Sequence, residues 1–220
     1  MQSVLGLDEA GRGSVLGPLV IGAFAIDADA IPRLLDLGVR DSKLLPADRR
    51  EKIYAELPGF GDCRSVHLGP ARIDAAVAKH GLNDLELATF AEIVRAVGPA
   101  ETRADACDPN ARRFARTLKA LSGSEAPVKA RHHMDRDDLV VGAASIVAKV
   151  ERDRAIARLA AEIGEPVGSG YPSDPRTMQF LRRWTAARGA RGTSWLRQSW
   201  DPTKRLMRER WARRLEEFDE

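Results

Sequence analysis

Between Leu5 and Ile26 the chain is almost continuously apolar, yet Asp8, Glu9 and Arg12 stand inside the run. Those charges rule the segment out as a membrane anchor or a signal peptide. Short stretches rich in Val, Leu and Ile on either side, Ser3–Asp8 and Pro18–Asp27, read instead as two strands. The glycine-rich segment between them makes a β-hairpin-like pair. No other apolar run approaches the ~20 residues that span a bilayer, so no membrane association is expected.

Further along, Pro46 opens a helix over Ala47–Leu57, and Cys63–Leu68 reads as a third strand. Asn83 is placed to cap a helix over Leu85–Val97. A strand over Thr102–Cys107, a helix over Asn110–Leu121, a short strand over Pro127–His132 and a long helix over Leu139–Ile163 follow. Two more helices, near 175–188 and 203–217, come after the punctuated loop Gly168–Pro175. Three strands followed by strand–helix alternation imply an α/β fold: a mixed sheet flanked by helices, with the first three strands antiparallel and the later ones parallel. At 220 residues the chain is long enough for one proper core with a helical appendage.

Sites in such sheets gather at strand ends. Asp8 is expected to end the first strand, Asp105 lies near the end of a later one, and Asp135 follows the strand ending near His132. If those strands are neighbours, three carboxylates converge, with Glu9 as a fourth. Adjacent strand residues face opposite ways, so Asp8 and Glu9 share a site only where the strand is ending. Clustered carboxylates raise one another's pKa unless a cation joins them. Hard, oxygen-preferring Mg²⁺ or Mn²⁺ suits such a set. Two such ions activate a water and stabilise the leaving oxygen of a phosphodiester displacement. Each acid alone also has a structural reading. Asp108 before Pro109 suits a helix cap, and Asp137 or Asp138 suits the next one. Gly11-x-Gly13 either turns the chain or lets its backbone approach a sugar-phosphate closely.

Residues 176 to 214 carry twelve Lys or Arg against Asp201 and Glu209, whereas residues 1 to 175 hold 23 basic and 26 acidic groups. A near-neutral body with an Arg-rich end fits a polyanionic partner, and a solvated helical face fits it as well. All four tryptophans, Trp184, Trp195, Trp200 and Trp211, lie in this end. They either stack on bases or pack the terminal helices. Cys63 and Cys107 offer no disulfide framework, as expected in a reducing cytoplasm. The four histidines lack a zinc spacing.

In order, Gly6-Leu7-Asp8-Glu9-Ala10-Gly11-Arg12-Gly13 with Gly17-Pro18, Asp41-Ser42-Lys43-Leu44, Asp105-Ala106, Asp135 ahead of Val141–Val150 with Arg152-Asp153, Gly168–Pro175, and Arg197-Gln198-Ser199-Trp200 resemble the blocks of type 2 ribonuclease H. The likeness is to ribonuclease HII of the archaeal and eukaryotic kind and covers nearly the whole chain. It implies an RNase H-like fold with a five-stranded mixed sheet: a catalytic domain over 1–165 and a substrate-binding helical extension over 166–220. It implies metal-dependent cleavage of RNA in RNA–DNA hybrids and at ribonucleotides embedded in duplex DNA, leaving 5′-phosphate and 3′-hydroxyl ends.

By the same resemblance Asp8, Glu9, Asp105 and Asp135 hold the metal. Gly11, Arg12 and Gly13 sense the ribose 2′-OH, Tyr171 packs on the following deoxyribose, and Ser42 and Lys43 contact phosphate. Ribonuclease HIII, with an additional N-terminal domain and without the Gly-Arg-Gly loop, fits less well. His133-Met134 departs from the Lys-Ala that relatives often carry before the aspartate. Leu215–Glu220 has Phe218 but no paired aromatics, so no sliding-clamp docking motif is evident. A monomer is expected. The rival readings are a non-catalytic hybrid-binding module and a nuclease or junction resolvase acting on all-DNA substrates.

Overall fold

A computed structural model describes residues 2–39, 45–79, 81–189 and 193–216, with side chains to 212. Its sheet has strand order β3-β2-β1-β4-β5. β1 (Ser3–Ala10) runs antiparallel to β2 (Leu19–Asp27) and parallel to β4 (Glu101–Asp105), which is itself parallel to β5 (Val128–Arg131). β3 (Asp62–Leu68) lies outside β2. The helices are α1 (Arg33–Leu37), α2 (Ala47–Glu56), α3 (Pro70–Val77), α4 (Leu82–Val97), α5 (Ala111–Ser122), α6 (Leu139–Ile163), α7 (Pro175–Arg188) and α8 (Asp201–Glu216). This is the expected mixed five-stranded sheet with flanking helices. No helix among the described residues is long and apolar enough to cross a membrane.

The chain forms two compact units that interleave in sequence. One comprises Met1–Ala10, Val20–His67 and Leu82–Glu151; the other comprises Gly11–Leu19, Leu68–Gly81 and Arg152–Glu220. In the first, Val4, Phe24 and Ile26 of one sheet face pack with Val140, Ala143, Ala144 and Val147 of α6. On the opposite face Leu5, Leu7 and Ala104 are buried. Phe90 of α4 and Phe114 of α5 meet edge to face, their centroids 5.8 Å apart. In the second unit Val15, Leu16, Ile156, Met178, Phe180, Leu181 and Leu206 form the core. Trp184, Trp195 and Trp200 pack against that core, which decides three tryptophans for packing, while Trp211 is 56% exposed.

Several expected boundaries move for local reasons. α4 begins at Leu82, so Asn83 lies inside it, and its side chain hydrogen-bonds Asp108 instead of capping. The cap of α5 is Asn110, whose side chain accepts from the Arg113 N–H at 2.9 Å. Asp108 accepts from the Asn110 N–H at 2.7 Å and from the Arg113 guanidinium at 2.6 and 2.8 Å. That backbone bond, helped by Arg113 and Asn83, holds its carboxyl below the usual carboxylate range. Asp108 is thus a structural acid, as expected, set two residues before the cap proper. Asp138 accepts from the N–H groups of Val140 and Val141 and so closes the start of α6.

Candidate active site

β1 does not end at Asp8. It continues to Ala10, with Asp8 opposite Gly22 and Glu9 opposite Ile21. Strand alternation therefore sends the two acids to opposite faces. The carboxylates of Asp8, Asp105 and Asp135 do meet, with an oxygen from each lying within 4.8 Å of the others. Glu9 is not in this trio, because the strand end that would have let it join comes later than expected. Asp105 is the last residue of β4. Asp135 sits in a single 3-10 turn, Met134–Arg136, entered through His133 at φ 58°, ψ 35°. That left-handed conformation is uncommon outside glycine but enriched in His. It turns the chain from β5 toward α6 just before the third carboxylate.

Two glycines set how close α6 comes. A Cβ on Gly6 would stand 2.3 Å from the Val140 carbonyl oxygen, and one on Gly22 would stand 2.3 Å from that of Ala144. Only a missing side chain admits a helix backbone this near a strand. Because Gly22 is the register partner of Asp8, the approach delivers Ser145 and Lys149, one turn apart, to the carboxylates. The Ser145 hydroxyl hydrogen-bonds Asp8. The Lys149 ammonium donates to Ser145 Oγ at 2.7 Å and lies 3.8 Å from Asp135 Oδ2. Burial pushes the Asp8 carboxyl up to about 7, with Lys149 and Ser145 pulling the other way and Asp105 and Asp135 adding to the rise. Mutually repelling oxygen donors, two of them buried, with the Lys149 ammonium nearby are a donor set that a hard divalent cation fits.

The glycine loop belongs to the second unit. Gly11 has φ +83°, and its N–H donates to Tyr171 Oη at 3.1 Å. Arg152 stacks over the Tyr171 ring at 4.4 Å, donates to Ser14 Oγ at 3.0 Å and donates to the Ser169 carbonyl. The Val15 N–H reaches the Gly170 carbonyl at 2.8 Å. Beneath the loop, Arg197 is fully buried and donates to the carbonyls of Gly11, Arg12 and Gly17 at 2.7, 2.8 and 3.1 Å. Three charge-assisted bonds from one rigid fork fix the loop's backbone. Gly13 is exposed, and a Cβ there would meet nothing within 4 Å.

The sequence-expected loop residues and Tyr171 therefore come together, whereas Ser42 and Lys43 lie outside the described residues. Sequence reasoning assigned no role to Ser145, Lys149, Arg152 or Arg197. The signal the sequence held for them was their place inside the motif blocks.

The sequence profile of the family described as Ribonuclease HII matches residues 5–203. The chain belongs to this family. It is thereby a type 2 ribonuclease H, a hydrolase that cuts endonucleolytically within the RNA of RNA–DNA hybrids. The ribonuclease HII of Cenarchaeum symbiosum is 43% identical over 204 residues, 91% of this chain and 96% of that one. Among solved structures, the ribonuclease H2 of Pyrococcus horikoshii OT3 is 39% identical with a TM-score of 0.88, covering 95% of this chain and 99% of that one. The ribonuclease HII of Archaeoglobus fulgidus, solved in complex with PCNA, is 37% identical with a TM-score of 0.83 and covers 92% and 96%. The RNase H-like fold implied by the motif blocks is the fold of these ribonuclease HII proteins.

Proposed function

We propose that this ribonuclease HII cuts at single ribonucleotides embedded in duplex DNA as well as within RNA–DNA hybrids, leaving 5′-phosphate and 3′-hydroxyl ends. The observation that carries the reading is the convergence of Asp8 within β1, Asp105 at the end of β4 and Asp135 in the turn after β5. These three would hold Mg²⁺ or Mn²⁺, and Glu9, next to Asp8 but outside the trio, would have to turn toward them to add a fourth carboxylate. A pair of such ions supplies a nucleophilic water at neutral pH and stabilises charge on the leaving oxygen. Lys149 offsets part of the carboxylates' charge, and Ser145 orients Asp8. The backbone of Gly11, Arg12 and Gly13, braced by Arg197, reads the ribose 2′-OH. Tyr171, held by the Gly11 N–H and by Arg152, packs on the next deoxyribose. Ser42 and Lys43 contact phosphate. We assign catalysis to 1–165 and further duplex contacts to the extension 166–220, in a cytoplasmic monomer. The Archaeoglobus neighbour's complex with PCNA makes the clamp a partner to assay beside the duplex.

The test is incubation with duplex DNA carrying one ribonucleotide, with and without Mg²⁺, beside an all-DNA duplex. Metal-dependent cutting of the first alone, with the stated end groups, is expected. Asp105→Asn should lower the rate by about 10²–10³-fold, the scale of losing one preorganised electrostatic contact. Asp108→Asn should cut normally at reduced stability, because that carboxylate serves Asn110 and Arg113. Cutting of the all-DNA duplex would instead select the DNA-nuclease reading, and binding without cutting would select the binding module.

A further inference from the structure

A groove of about 900 Å³ runs along the free edge of β5, wholly within the first unit. Arg112 and Arg116 of α5 line it, with Arg103, Lys129 and Arg131 from the sheet and Asp138 as its acid. The five cations are not equivalent. Arg103 is committed to Glu101 at 2.6 Å and to Asp138 at 3.1 Å. Lys129 reaches Glu101 at 2.8 Å, and Arg131 makes a forked pair with Asp137 at 3.1 Å. Both members of the Arg131–Asp137 pair are more than half exposed, 57% and 61%, so an incoming anion exchanges with the carboxylate readily. Arg112 and Arg116 are exposed, and among the described residues their guanidinium groups have no hydrogen-bond or ion-pair partner. They stand four residues apart on one helix face, where like charges repel. Arg113 between them is neutralised by Asp108, whereas these two are left uncompensated.

The groove also abuts the carboxylates. Arg131 is the register partner of Asp105, and Met134, which lines the groove, directly precedes Asp135. A polyanion placed for cleavage at the trio is therefore already beside Arg131. Side chains at i and i+4 stand about 5–6 Å apart at Cβ, a separation comparable to the step between successive phosphates of one strand. We propose that Arg112 and Arg116, with Arg131 and Lys129, form a phosphate track that holds the substrate duplex on one side of the cleavage point. The proposal rests on the ribonuclease reading and adds to it a second contact region, away from the basic C-terminal end. An acidic protein segment laid along the β5 edge is the competing occupant. The adjacency to the carboxylates favours the nucleic acid.

The experiment is single-turnover cleavage by wild type and by Arg112→Gln/Arg116→Gln, followed across a salt series. Substrates share one cut site and are extended on one side, on the other side, or on neither. For the extension that enters the groove, the variant should need several-fold more enzyme for half-saturation. Its log–log salt slope should be shallower by about 2, near one unit per lost phosphate contact. The rate at saturation should not change, and neither should the trimmed substrate or the opposite extension. Arg112→Lys/Arg116→Lys should restore most of the slope, and melting temperatures should match throughout. An unchanged slope on every substrate overturns the track. So does the appearance of polyglutamate binding that the Gln variant loses while its duplex slope stays at the wild-type value. Wild-type cleavage of the trimmed substrate reports on the ribonuclease reading separately, so the two ideas fail independently.

Discussion

Gly11 and Gly13 lie two residues apart and answer to different constraints. Gly11 has φ +83°, and a Cβ there would stand 2.8 Å from the Pro18 carbonyl, so Gly11→Ala strains the fold by about 1–3 kcal/mol before any substrate arrives. Gly13 has neither a positive φ nor a neighbour within 4 Å. Gly13→Ala should therefore stay within about 0.5 kcal/mol of wild type, as exposed substitutions usually do. If its backbone lies against the ribose, that variant still loses tenfold or more in cleavage of a single embedded ribonucleotide, about 1.4 kcal/mol of lost complementarity. Thermal melting and cleavage measured together separate the two effects, and full activity in folded Gly13→Ala would remove Gly13 from the reading of the sugar. Residues of this kind were unevenly legible in the sequence. Asp8 stood out because a charge in an apolar strand is conspicuous. Lys149 and Arg197 did not, because a basic residue in a helix or an Arg-rich tail looks solvated until its partners are seen. The partners of Arg197 are backbone carbonyls at Gly11, Arg12 and Gly17, which no side-chain pattern announces.

Among elements, α7 shows how a cap and a loop share one carboxylate. Asp174 accepts from the Arg176 N–H at 2.9 Å and from the Ser169 N–H at 2.6 Å, tying the start of α7 to the loop that presents Tyr171. These bonds, Ser169 foremost, hold its carboxyl down at about 2 against an ordinary 3.8. Between those two values the unfolded chain binds the proton and the folded chain does not, so stability rises with pH across that window. The contribution is complete above about 3.8 and disappears as pH falls through about 2. Urea midpoints of wild type and Asp174→Ala should accordingly differ by a constant amount above pH 4 and converge toward pH 2. A gap that persisted at the acid end would mean that the charge is not its source. The start of α7 was legible at Pro175, though its Asp174 cap was not read there, and α6 was legible over its full length. α1 and α3 were not, since five and eight residues are too few to display a helical period. The start of α4 was misplaced because an Asn near a helix start advertises a cap even when its amide serves a distant carboxylate.

At the scale of the molecule, the mixed sheet followed from the succession of elements, but the strand order and the grouping of the chain did not. A tail after residue 165 reads as an addition to a finished domain. Yet Gly11–Leu19 and Leu68–Gly81 pack with Arg152–Glu220. Val15 and Leu16 share a core with Phe180 and Leu181, and Asp74 accepts from the N–H groups of Gln198 and Ser199 at 2.9 and 3.0 Å. Such pairings join residues more than a hundred positions apart and leave no local trace in sequence. Their consequence is genealogical. The terminal segment is not a cassette that recombination can exchange at a single junction, because its fitting surfaces are written in two earlier stretches. Replacing Arg152–Glu220 with the matching segment of a 43%-identical relative should lower the melting temperature by several degrees, as a loss of about 1–3 kcal/mol from mismatched packing would in a chain of this size. Importing 11–19 and 68–81 from the same relative should recover it. A single-junction chimera as stable as either parent would show the tail to be portable after all. The three stretches are otherwise bound to change in concert, one lineage's substitutions at Leu16 or Asp74 being answered by that lineage's own at Leu196 or Ser199.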